Sequence, residues 1–190
     1  NKYKARIKIL VNAMGVEAFR EAVTHRYLTD HDSDLKISPE TLQDLGDSFA
    51  CTLQPRPIEE HQGSAEFQRW YLQNTKPHRI MGYRSVFISL KRPGTAPGDV
   101  TAQQMDVIAD LADQFSQSEI RTTHDQNLIL PHVAESDLEA LLAALSAHDL
   151  AHPNLGLISD SIACPGLDFC SLANAPSLSL AEALHDTFID

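Results

Sequence analysis

Between Ser85 and Ile158 the hydrophobic period of the chain switches repeatedly between two residues and about 3.6, and the order of those switches limits the architecture more than any other feature. In Ser85–Leu90, Val86, Ile88 and Leu90 alternate with Ser85, Phe87 and Ser89, the pattern of a strand with one buried face. A turn segment, Arg92-Pro93-Gly94-Thr95-Ala96-Pro97-Gly98-Asp99, ends that run. Thr101 and Gln104 then form a capping box, in which each side chain satisfies a backbone amide that a helix start leaves open. Met105, Ile108, Leu111, Ala112 and Phe115 follow at helical spacing. Two short β-rich runs, Ile120–Thr123 and Asn127–Leu130, flank His124-Asp125-Gln126 closely enough for a hairpin. Ser136 with Glu139 predicts a second capping box, opening a helix that carries Leu138, Leu141, Leu142 and Leu145. Past Pro153, Leu155–Ile158 predicts a last strand.

The order β-α-β-β-α-β predicts an α+β sandwich of one sheet and two helices, the ferredoxin-like split βαβ arrangement, over residues 77–158. Upstream, residues 1–28 predict helix on either side of Gly15, with Val16, Phe19 and Val23 three and four apart. Residues 29–76 carry Pro39, Pro55, Pro57 and Gly63 and lose the period, apart from a short helical hint at Phe67–Leu72; they are expected to be a connector. Residues 159–190 follow the sandwich.

With 190 residues, 43% hydrophobic and 22% charged, the chain has the makings of one packed core and not the composition of a disordered segment. Its longest apolar runs fall far short of the ~20 residues a membrane helix needs, and no secretory signal is visible at Asn1, so a cytoplasmic protein without membrane contact is expected. The net charge of −11 is unevenly spread: Lys2, Lys4, Arg6, Lys8, Arg20 and Arg26 crowd the N-terminal segment, while from Pro93 to Asp190 the only Lys or Arg is Arg121. A nucleic-acid-binding version of the fold is set aside, because the inner strands lack stacking aromatics and the chain is acidic.

Three cysteines argue against a disulfide scaffold. Two of them, in Ala163-Cys164-Pro165-Gly166-Leu167-Asp168-Phe169-Cys170-Ser171-Leu172-Ala173, stand six positions apart across a Pro-Gly turn. Thiolates are the ligands of iron–sulfur clusters, and a turn lets two face one cluster; buried free cysteines would explain the same spacing. The histidines, His124 in the hairpin among them, have no ligand spacing.

The cysteine stretch, with its Leu172-Ala173, resembles the first cluster-ligand pair of the sirohaem-dependent sulfite and nitrite reductases. Gly82-Tyr83-Arg84-Ser85-Val86-Phe87-Ile88, Gly94–Asp99 and Ile120-Arg121-Thr122-Thr123-His124-Asp125-Gln126-Asn127-Leu128 resemble the ferredoxin-like half-domain of that family, and Lys4-Ala5-Arg6-Ile7-Lys8 resembles the basic end of its first catalytic domain. The resemblance implies a half-domain flanked by helical segments of two catalytic domains, with residues 1–28 ending the first and 159–190 beginning the second. It implies six-electron reduction of sulfite to sulfide, or nitrite to ammonia, at a sirohaem coupled to a [4Fe–4S] cluster, with a ferredoxin or flavoprotein donor. By the same resemblance Arg6 and Lys8 serve the substrate anion; Arg121, Gln126 and Asn127 contact the cofactor; Cys164 and Cys170 ligate metal. The family completes its four thiolates with a Cys-x3-Cys pair farther along, and Cys51 is the only other cysteine here, so the chain alone is expected to be inactive and without cofactor. A stand-alone ferredoxin-like interaction module, with both cysteines buried or redox-paired, is the alternative.

Overall fold

In the computed structural model, residues 6–29, 36–50, 52–58 and 63–188 are described; Lys4, Ala5 and Cys51 lie outside them. The chain divides between Thr52 and Leu53 into two compact units.

The first unit holds α1 (Ile7–Met14) and α2 (Val16–Thr29), with Gly15 between them. Gly15 has φ +85°, a conformation side-chain-bearing residues avoid, and it breaks the helical path while its amide still donates to Val11 O at 2.8 Å. No residue of either helix is buried. A third helix, α3 (Pro39–Ser48), occupies the stretch expected to be connector. Its start has ordinary chemistry: Ser38 Oγ accepts from Thr41 N at 3.1 Å, and Pro39 fills a first-turn position where no amide is needed.

The second unit contains the sheet. Its elements are α4 (Ala65–Asn74), β1 (Thr75–Pro77), β2 (Tyr83–Ile88), α5 (Ala102–Phe115), β3 (Arg121–Thr122), β4 (Leu128–Ala134), α6 (Leu138–Ser146) and α7 (Ser177–Thr187). The strands lie in the order β1-β2-β4-β3, each pair antiparallel. This is the ferredoxin-like sheet, with one correction to the expected assignment of strands. The edge beside β2 is taken by β1, from before the pattern, and not by Leu155–Ile158. That segment is a turn and a short 3-10 helix (Ile158–Asp160), because Gly156 adopts φ +72° and the Leu157 and Asp160 amides bond back locally to Asn154 O and Leu157 O. β1 escapes a period argument because three residues ending in Pro77 carry no alternation; on an edge strand the missing amide costs little.

α4 falls on the short helical hint at Phe67–Leu72 and extends it by two residues at each end. Phe67 and Trp70 on it are 3% and 1% exposed and join one core with Val86 and Ile88 of β2, Ile108 of α5, Leu130 and Val133 of β4, and Leu138, Leu141 and Leu145 of α6. α4 therefore packs into the same core as the sheet, and Ser64 caps it, its Oγ accepting from Phe67 N at 3.1 Å.

Pro131 lies in the central strand β4, where a missing amide is normally costly. The register shifts there: Arg84 faces Val133 and Val86 faces Leu130, so Ser85 alone opposes Pro131 and His132. This bulge removes the demand for a Pro131 amide, and Ser85 Oγ donates to Pro131 O at 3.1 Å.

The capping box of α5 is formed on both sides, with Gln104 N donating to Thr101 Oγ1 at 3.2 Å and Thr101 N to Gln104 Oε1 at 3.1 Å. Thr101→Ala is expected to lower the unfolding free energy by about 1 kcal/mol, read by urea denaturation. The second box does not form. Glu135–Asp137 make a 3-10 turn directly off β4, α6 starts after Asp137, and Ser136 Oγ bonds the Asp137 carboxylate at 3.2 Å. The entry to α6 is set instead by Glu135, buried with its amide donating to Gly82 O at 3.0 Å.

Candidate metal centre

The β3–β4 hairpin turn is built by Thr123, whose Oγ1 accepts from Asp125 N at 3.2 Å and Asn127 N at 3.0 Å. The turn puts Gln126 in the left-handed region, φ +57°, and sends Asn127 inward, 2% exposed. Asn127 Oδ1 accepts from Leu90 N and from Lys91 Nζ, both at 3.1 Å, and its Nδ2 donates to Asp160 Oδ1 at 2.9 Å.

Lys91 is the group that sequence reasoning missed. Its side chain is 1% exposed, and Nζ meets Asp160 Oδ1 at 2.7 Å, Asn127 Oδ1 and the carbonyl of Asp125. Asp160 also accepts from Gly156 N at 2.8 Å, and Asn154 Nδ2 donates to Lys91 O at 2.9 Å. A buried ammonium is tolerated only when its protons and its charge are both met, and here they are. The available signal was its position, directly after the apolar run Ser85–Leu90 and before a Pro-Gly turn.

This network leads into the cysteine turn. Gln126 Nε2 donates to Ala163 O at 2.8 Å, and Ala163 N donates to Gln126 Oε1 at 3.0 Å. Cys164 follows at once. Cys164 and Cys170 are both exposed free thiols on either side of the 3-10 turn Gly166–Asp168, and Cys170 N donates to Gly166 O at 2.9 Å. Gly166 has φ +59°, and a Cβ there would stand 2.3 Å from Ser177 Oγ and 2.8 Å from Ala175 O, so only glycine lets the turn sit against the start of α7. Ser177 Oγ donates to Cys164 O at 2.7 Å and lies 3.5 Å from Cys164 Sγ. The Ser177 hydroxyl, and after it the Gly166 backbone, hold the Cys164 thiol below its ordinary value, which favours the ligating thiolate.

Between the hairpin and the cysteine turn lies a mostly apolar cleft of ≈ 440 Å³, lined by Leu90, Val100, Met105, Leu128, Pro165 and Phe169 among others. Among the described residues no cluster of three or more His, Cys, Asp or Glu is placed to hold a metal ion. Cys164 and Cys170 stand as two exposed free thiols on one turn.

Arg121 is half exposed on β3, where its Nε donates to Glu119 Oε1 at 2.5 Å; Glu119 Oε2 stands 3.0 Å from His132 Nε2. The Arg121 guanidinium holds the Glu119 carboxyl below the usual range. Arg6 and Lys8 lie at the exposed start of α1, in the first unit. The structure thus brings Gln126, Asn127, Cys164 and Cys170 into one region, with Arg121 on the neighbouring strand.

Residues 88–148 match the family model of the nitrite/sulfite reductase ferredoxin-like half domain. The chain is 29% identical over 174 residues to the chloroplastic ferredoxin–nitrite reductase of Betula pendula, a match spanning 91% of this chain and 25% of that protein. It is 27% identical over 183 residues to sulfite reductase [ferredoxin] 1 of Mycolicibacterium paratuberculosis, covering 95% of this chain and 27% of the relative. The solved structure of the Mycobacterium tuberculosis NirA protein shares its fold at TM-score 0.52 and 23% identity, over all of this chain and 30% of that one. The chain spans about a quarter of the length of the curated relatives it matches.

Sheet order, register and family match define an α+β chain built on a ferredoxin-like half-domain. Within it, residues 88–148 match the half-domain of nitrite and sulfite reductases, and the chain is similar over most of its length to about a quarter of the length of enzymes of that family. Among the described residues no helix is long and apolar enough to cross a membrane.

Proposed function

We propose that the chain is part of a reductase that carries out the six-electron reduction of sulfite to sulfide or of nitrite to ammonia, taking electrons from a ferredoxin. The observation that carries this reading is the pair of exposed thiols, Cys164 and Cys170, hung on a turn fastened to the matched half-domain. The names of the relatives, ferredoxin–nitrite reductase and sulfite reductase [ferredoxin], support the substrate class and favour ferredoxin over a flavoprotein as donor.

In this reading Cys164 and Cys170 supply two of the four thiolates of a [4Fe–4S] cluster, and the partner pair comes from a longer protein. When bound, sirohaem coupled to that cluster would supply the low-potential electrons and the anion-binding iron. In this reading Arg6 and Lys8, exposed at the start of α1, serve the substrate anion, and Arg121, half exposed and paired with Glu119, serves cofactor carboxylates by sharing its guanidinium with that acid. Asn127 acts one step back, because its carboxamide is committed to Leu90, Lys91 and Asp160. Each substrate oxygen leaves as water, so the site must admit protons as well as electrons, and a cysteine turn open to solvent is compatible with that traffic.

The test is a metal and absorbance assay of the full-length natural protein beside its Cys170→Ser variant. Sirohaem and cluster bands are expected in the wild type, with sulfite- or nitrite-dependent oxidation of a reduced dye; the substitution should remove cluster iron and bring activity to background. A wild type that stays colourless after anaerobic reconstitution would sink the reading in favour of a metal-free interaction module.

A further inference from the structure

Gln126 occupies a backbone conformation, φ +57°, that residues with a long side chain rarely adopt and that glycine or asparagine adopt at lower cost. It is packed there against Gly98, where a Cβ would stand 3.2 Å from its own Cβ. What the side chain does in return is pair with one residue twice. Its Nε2 donates to Ala163 O at 2.8 Å while its Oε1 accepts from Ala163 N at 3.0 Å, so both backbone groups of Ala163 are met as they would be by a neighbouring strand.

The next residue is Cys164, and its other flank is also held, since Ser177 Oγ donates to Cys164 O at 2.7 Å. Upstream, Asp160 is fixed by Lys91, Asn127 and Gly156. The backbone presenting the Cys164 thiol is therefore anchored before and after, while the thiol itself faces solvent.

We propose that Gln126 is the positioning residue for Cys164: its carboxamide grips both backbone groups of Ala163 and sets the thiol in place before any metal arrives. The proposal rests on reading Cys164 as a cluster ligand. Ligand atoms must be held to within about 0.5 Å to act as a preformed site, and a two-point grip on the preceding residue limits both translation and rotation of the chain.

The decisive variant is Gln126→Gly, which relieves the left-handed backbone yet removes the grip, with Gln126→Glu beside it, which keeps the acceptor for Ala163 N and loses the donor to Ala163 O. Two readouts need no metal: hydrogen exchange at the Ala163 amide, and the alkylation rate of Cys164 compared with Cys170 in the same chain. In Gln126→Gly, exchange at Ala163 is expected to quicken roughly tenfold, with a smaller effect in Gln126→Glu. The Cys164 rate should change while the Cys170 rate stays put. Folded variants whose Ala163 exchange and Cys164 alkylation match wild type would overturn the proposal. In the full-length protein, Gln126→Gly is expected to shift the electron paramagnetic resonance signature of the reduced cluster without loss of iron. If the metal-free readouts move but Cys164→Ser retains a full cluster, the grip stands and the reading of Cys164 as ligand falls, so the two failures are told apart.

Discussion

Trp70→Ala is expected to lower the unfolding free energy of the second unit by about 3–5 kcal/mol, the cost of emptying a large aromatic site in a packed core. Trp70 is 1% exposed and shares its cluster with Phe67, Val86, Ile88 and Leu130, so the loss removes contacts with both α4 and the sheet. A native domain holds only about 5–15 kcal/mol in total, which makes this a large fraction of the available stability. The comparison that gives the result meaning is Tyr27→Ala on the exposed face of α2, where the side chain is 79% exposed and the expected change is within about 0.5 kcal/mol. Urea denaturation followed by far-UV circular dichroism measures both. A Trp70→Ala protein as stable as wild type would mean that α4 does not belong to the half-domain core.

The second large effect concerns the buried ion pair. Asp160→Ala leaves the Lys91 ammonium inside the unit, its side chain 1% exposed, with one partner gone, and is expected to cost about 3–5 kcal/mol. The double variant Lys91→Met with Asp160→Leu removes charge and partner together and is expected to recover most of that loss, because an apolar pair of similar volume needs no desolvated charge to be compensated. Chemical denaturation of wild type, the single variant and the double variant gives the comparison. Should the double variant be as unstable as the single, the hydrogen bonds from Asn127 and Gly156 to Asp160 would account for more of the stability than the charge pair does.

The helix α5, the β3–β4 hairpin and the helix α6 were legible from residue order, because each is long enough, or capped clearly enough, for local chemistry to dominate. The Thr101–Gln104 box is the clearest case, since both of its hydrogen bonds form within four residues. The Ser136–Glu139 box had the same letters and did not form, because burial of Glu135 after β4 pulled the helix start out of phase with them. Likewise Leu155–Ile158 has a strand's composition, but a strand needs a free edge, and β1 already occupies it.

For the candidate site, residue types and spacing left the cysteine pair open between ligation and burial, and only the resemblance of Cys164–Ala173 to a cluster-ligand pair pointed to ligation. Lys91, Asp160 and the grip of Gln126 on Ala163 connect positions 33–69 residues apart, as in Gln126 with Ala163, 37 apart, and Lys91 with Asp160, 69 apart. No local period encodes such partners. What the sequence by itself determined is the set of elements whose hydrogen bonds and apolar faces close within a few residues, together with the two thiols available for ligation. Which strand completes the sheet, which helix covers its core and how the cysteine turn is fastened were decided only in the tertiary structure, because a buried charge or an open sheet edge selects its partner by proximity in space.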